Sequence, residues 1–88
     1  MVMSISIPLN TDYTNKTART SRYELRFKYN TQADYFYFDL FLTDGTTVSL
    51  HNKVVAGYDF GGFSFVSNTN SSHATATTVN SFRLVANG

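Results

Sequence analysis

Arg22-Tyr23-Glu24-Leu25-Arg26-Phe27-Lys28-Tyr29, followed after a short polar turn by Tyr35-Phe36-Tyr37-Phe38-Asp39-Leu40-Phe41-Leu42, decides the fold. The first run alternates charged side chains with apolar or aromatic ones, the period of a strand with one wet face. Tyr23, Leu25, Phe27 and Tyr29 share one side, and Arg22, Glu24, Arg26 and Lys28 the other. The second run is apolar or aromatic at almost every position and reads as a strand covered on both sides. Phe36, Phe38, Leu40 and Leu42 form its candidate core face. Tyr35, Tyr37, Asp39 and Phe41 form an amphipathic face suited to a rim or a subunit contact. Between the runs, Asn30-Thr31-Gln32-Ala33-Asp34 supplies a turn whose Asn and Asp can bond back to the main chain.

Working outward, Asp44-Gly45 is a strong hairpin signal, because Asp-Gly readily accepts positive φ. Thr47 to Asn52 then alternates and puts Val48 and Leu50 together. Lys53 to Phe60 is a further strand or an extended loop, and Phe63 with Phe65 resumes a short strand. Ser4 to Leu9 alternates until Pro8, which cannot donate to a central ladder, so an edge strand is expected there. Residues 10–21 and 67–72 are polar and read as loops. Thr75 to Val79 is rich in β-branched residues and could pair with a neighbour, and Phe82 to Val85 makes a final strand. No segment sustains a helical period long enough to overcome the cost of nucleation. The expectation is a single all-β domain over 1–88, a small antiparallel barrel or compact sandwich of about six short strands.

Composition narrows the function. An 88-residue chain hides only about 60–65% of its unfolded surface, and eight Phe and six Tyr partly offset that limit. With no cysteine there is neither a disulfide framework nor a thiolate site. Seven Lys and Arg at a net charge of +1 form no concentrated basic patch of the kind that nucleic acid requires. The run from Met1 to Ile5 has no features of a secretory leader, and the longest apolar run, interrupted by Asp39, is too short to span a bilayer.

Candidates for chemistry are few. His51 and His73 lack the spacing of metal ligands and read as surface residues, so no metal or cofactor is implied. Asp39 sits among Phe38, Leu40 and Phe41 and needs either solvent or a donor. Arg26 on the preceding strand is the expected partner in a cross-strand ion pair. Glu24 is the one acid placed to share a site with Asp39, but no nucleophile accompanies the pair, and catalysis is not expected. Tyr35, Tyr37 and Phe41 with Arg22, Arg26 and Lys28 could instead make a stacking platform for nucleic acid or a shelf for a sugar. Core packing and a protein interface account for the same rings more simply.

These elements, in order, resemble a known family. Ile5-x-Ile7-Pro8-Leu9 is followed by Tyr23-x-Leu25-x-Phe27-x-Tyr29-Asn30-Thr31, then Tyr35-x-Tyr37-x-Asp39-Leu40, the Asp44-Gly45 turn and Val54-x-x-Gly57-x-Asp59. Over about Ser4 to Phe60 the chain resembles the small plug protein of contractile-tailed phage baseplates, typified by cyanophage members. The resemblance implies a nonenzymatic structural protein of the virion, assembled in the host cytoplasm at the centre of the tail baseplate. Its implied partners are the tail hub, central spike and tube proteins, and its copies would be related by rotational symmetry, three or six in number. It further implies structural roles for Ile7, Pro8, Leu9, Tyr29, Asn30, Thr31, Leu40 and Gly45. Tyr35, Tyr37, Asp39, Phe41 and Arg26 are the candidate interface residues. The alternative is a glycan- or host-surface-binding module of a virion.

Overall fold

Both halves of the deciding stretch form strands in the computed structural model, which describes residues 4–87. Met1 to Met3 and Gly88 lie outside the described residues, and with them most of the run read as lacking a leader. The order is β1 (Ser4–Pro8), a 3-10 turn (Thr11–Thr14), β2 (Thr17–Arg19), β3 (Tyr23–Asn30), β4 (Tyr35–Leu42), β5 (Thr47–Lys53), β6 (Phe63–Ser67), a second 3-10 turn (Val79–Ser81) and β7 (Phe82–Asn87). The strands make two antiparallel sheets, ordered β2-β3-β4-β5 and β1-β7-β6, which pack as a sandwich.

Alternation explains why the sheets face each other. Leu25 and Phe27 of β3 and Phe36, Phe38 and Leu40 of β4 point inward, opposite Phe63 and Phe65 of β6 and Phe82, Leu84 and Ala86 of β7. Phe38 lies at the centre, with ring centroids of Phe27, Phe60, Phe63 and Phe65 at 5.8, 5.2, 5.9 and 5.5 Å. Edge-to-face and tilted arrangements predominate there, as the ring quadrupole favours. Tyr13, carried by the first 3-10 turn, closes one side of this core by meeting Phe27 edge-on at 5.3 Å.

The two hairpins of the four-stranded sheet follow from their turn residues. At the β3–β4 turn, the Asn30 side-chain oxygen accepts the N–H groups of Gln32 and Ala33, both at 3.0 Å. Asp34 completes that turn with a φ of 55°. Its carboxylate accepts the Tyr29 hydroxyl at 2.6 Å and the Ala76 N–H at 2.9 Å, tying the hairpin tip to a distant loop. At the β4–β5 turn, Gly45 has a φ of 93° and the Asp44 carboxylate accepts the Thr46 N–H, so Asp-Gly acts there as expected.

A triangle of main-chain bonds ties β4 to the segments that follow β5 and β6. Val54 donates to Phe36, Phe36 to Ala74 and Ala74 back to Val54, at 3.0, 2.8 and 3.0 Å. The chain then crosses over, and the Gly57 N–H reaches the Phe65 carbonyl at 3.0 Å. This partial closure also covers an edge of β6, while β2 is only three residues long and β5 is bulged, so three edges are poor templates for stray pairing.

Several expectations need correction. The polar stretch 10–21 is not all loop, since it holds a 3-10 turn and β2, which pairs with β3 through Thr17↔Arg26 and Arg19↔Glu24. Thr75 to Val79 does not pair as a strand. Thr75 and Thr78 bond to each other and form a turn into the second 3-10 segment, because their hydroxyls compete with a ladder for the main chain. Leu42 shares the parity of the core face but, as the last residue of β4 before the turn, is 36% exposed. Val48 and Leu50 are likewise exposed, because the two bulges in β5 remove the simple alternation. Beyond Ser67, the polar segment is held by hydroxyl bonds among Ser67, Thr69 and Ser71.

Candidate functional site

The outer face of the β2-β3-β4-β5 sheet carries the five candidate interface residues, whereas Arg22, expected on the same face, precedes β3 and lies 5.7 Å from the Tyr23 ring centroid. Register places Arg26 opposite Asp39, Lys28 opposite Tyr37 and Glu24 opposite Phe41, with Lys53 of β5 on the far side of Tyr37. Tyr35, Tyr37, Asp39 and Phe41 are all half-buried, and Arg26 is exposed. Strand alternation alone brings them together, since the same pleat that sends Phe36, Phe38 and Leu40 inward sends these outward.

The expected Arg26–Asp39 pair does not form, although the two residues stand directly across from each other. Asp39 instead takes the Lys28 ammonium at 3.0 Å, a diagonal contact well within the reach of a lysine. Arg26 turns along its own strand to Glu24 at 2.8 Å and lies over the Phe41 ring, 4.2 Å from its centroid. Glu24 also accepts Arg19 at 3.0 Å. The proposed carboxylate partners, Glu24 and Asp39, are thus each neutralised by their own cations and share no proton.

Those contacts set the charge states. The Arg26 guanidinium, and then that of Arg19, hold the Glu24 carboxyl below its usual range. At Asp39 burial works against ionisation, but the His51 N–H and the Lys28 ammonium outweigh it and depress its pKa.

His51, read from the sequence as an inert surface residue, belongs to this face. Its ring lies against Tyr37 with centroids 4.1 Å apart, and its Nε2 is 2.7 Å from the Tyr35 hydroxyl. Its backbone is left-handed, with a φ of 56°, at the bulge where β5 slips against β4. The Asp39 carboxylate accepts the His51 N–H at 2.9 Å and fixes that bulge. His51 has the parity of Lys53, which pairs with Tyr37, so alternation puts its ring on the tyrosine side. The left-handed bulge and its bond to Asp39 are what alternation does not show. The nearest signal was Asp39 itself, a carboxylate in an apolar run that needed donors. Lys53 completes the set, 4.9 Å over the Tyr35 ring. His73 lies elsewhere, in a bridge with Val55.

The family-motif residues are spread over β1, the two hairpins and the core. Ile7 pairs with Leu84, Pro8 ends β1 opposite Arg83, and Leu9 is buried in the core. Tyr29 packs on Phe36 at 4.8 Å, Asn30 caps the turn that exposes Thr31, Leu40 is buried and Gly45 sits at its positive φ. Among the described residues, no group of three or more His, Asp or Glu side chains could hold a metal ion.

No curated protein and no solved structure matches the chain. A protein-family model described as cyanophage baseplate Pam3 plug gp18 matches residues 4–83, which extends the resemblance through β6 and into β7. That span carries both hairpins, the crossover at Val54 and the whole aromatic face. The chain therefore belongs to the cyanophage baseplate plug family, as a nonenzymatic structural protein of a phage tail baseplate.

Proposed function

We propose that this chain acts as a small plug or adaptor that contacts the tail hub and central spike, in several copies related by rotational symmetry about the tail axis. The outer face of the β2-β3-β4-β5 sheet is its docking surface, with Tyr35, Tyr37 and Phe41 as anchors and Arg26 and Asp39 among them. The observation that carries this reading is the concentration of half-buried rings on a strand face that the core does not use. Aromatic residues and arginine are enriched at the centres of protein interfaces, where a rigid ring contributes area with little loss of rotamer freedom. A solvated sheet face has no comparable need of them.

Complementation of a phage that lacks this protein tests the reading. Tyr37→Ser with Phe41→Ser should leave the circular dichroism of the isolated chain unchanged, since neither ring enters the core. The number of copies per particle, counted by quantitative mass spectrometry, should fall about tenfold or more, as loss of interface anchors does. Particles carrying the usual number of the doubly substituted chain would overturn the assignment of this face.

A further inference from the structure

The docking face has a charge arrangement that specifies the chemistry of its partner. Four cations, Arg19, Arg26, Lys28 and Lys53, stand on it with two acids, Glu24 and Asp39, for a net charge of +2. The chain as a whole is +1, so its remainder sums to −1. The outward side chains of the other sheet are Ser6, Pro8, Ser64, Val66, Val85 and Arg83, with Arg83 the one charge among its described residues.

Depth matters more than the count. The Arg19, Arg26 and Lys28 side chains are 73, 52 and 51% exposed, whereas Glu24 and Asp39 are 17 and 14% exposed. Every carboxylate oxygen on the face already has a donor. Glu24 uses one for Arg19 and one for Arg26, and Asp39 uses one for Lys28 and one for the His51 N–H. The acids are sunk and satisfied, and the cations stand above them. Lys53 has no carboxylate partner among the described residues and rests on the Tyr35 ring.

On these grounds, and resting on the docking reading above, we infer that the face binds an acidic protein surface, whose Asp and Glu side chains pair with this upper layer of Arg and Lys while apolar groups meet the rings. Guanidinium groups held over aromatic rings are fixed in plane and present paired N–H donors that match a carboxylate. Their weak hydration lowers the cost of burying them at an interface. Nucleic acid fits less well. Four cations and a net +2 supply little counterion release.

Charge reversal in the same complementation assay tests this. Lys53→Glu with Arg19→Glu should lower the copies per particle about tenfold, because like charges placed across an interface are strongly unfavourable. Lys53→Arg with Arg19→Lys should restore them, and Arg83→Glu, on the opposite sheet, should change nothing. Wild-type incorporation of K53E/R19E, with Y37S/F41S still excluded, would overturn the acidic partner and leave the docking face standing. Wild-type incorporation of both variants would overturn both. If circular dichroism shows K53E/R19E to be unfolded, Lys53→Gln with Arg19→Gln replaces it. That milder pair should still lower the copy number, and an unchanged number would overturn the inference.

Discussion

Asp39 shows what one residue's environment can and cannot reveal in sequence. Its need for donors was legible, because a carboxylate flanked by Phe38 and Leu40 must be solvated or paired. Which donors it would find was not, since a directly opposed arginine lost to a diagonal lysine and to a backbone N–H created by a bulge. The contacts have a consequence in acid. Asp39 is held below its ordinary value of 3.8 although burial opposes this, because the His51 N–H and Lys28 prevail. Arg26 and Arg19 depress Glu24, the Tyr29 hydroxyl and Ala76 N–H depress Asp34, and the Gly61 and Gly62 N–H groups depress Asp59. In each case the unfolded chain binds protons more readily than the folded one, so this stability is present above the ordinary carboxylate values and is lost as pH falls through the depressed ones. The urea midpoint should therefore hold level near neutrality and decline below about pH 4. Asp39→Asn should lower the neutral midpoint and flatten the acid decline. An acid limb of unchanged slope in D39N would show that this carboxylate does not carry the dependence.

At the scale of the element, the central strands were legible and the edges were not. β3 and β4 announce themselves because eight residues of unbroken alternation fix both the period and the buried side. β2 is three residues of Thr, Ala and Arg, which carry no pattern of their own and become a strand only because β3 offers an edge. β5 alternates in sequence but slips twice against β4, so Val48 and Leu50 are exposed where the parity of Asn52 would turn them inward. The left-handed residue at the second slip makes this testable. His51→Ala and His51→Gly both remove the ring contacts with Tyr35 and Tyr37, so comparing them isolates the backbone. Left-handed geometry costs an alanine about 1–2 kcal/mol and a glycine nearly nothing. H51G should therefore be the more stable of the two by about 1 kcal/mol, read from urea midpoints at constant slope. Equal midpoints would mean that the bulge relaxes to an ordinary strand once the imidazole is gone.

At the scale of the whole molecule, the strand faces were legible but the assembly of the two sheets was not, because alternation assigns a ring to the core without naming the ring it will meet. Phe38 and Phe65 lie 27 residues apart in sequence, on different sheets, with centroids 5.5 Å apart and no side-chain exposure. Phe60 and Phe63 bridge them further, and the crossover segment bonds to β6 through the Gly57 N–H and the Phe65 carbonyl. A small sandwich built this way has little stability to divide, so neither sheet should persist once the other opens. Unfolding should then be a single transition whose midpoint is the same by fluorescence and by circular dichroism. Phe38→Leu and Phe65→Leu test the coupling directly, since leucine keeps an apolar side chain while removing the ring. Aromatic pairs add about 0.5–1.5 kcal/mol beyond the area they bury. The doubly substituted chain should therefore be more stable than the sum of the two single losses implies, by about that amount. Strict additivity would show that contact between these two rings does not couple the sheets. In that case the aromatic core would be filling the space between the sheets without coupling them.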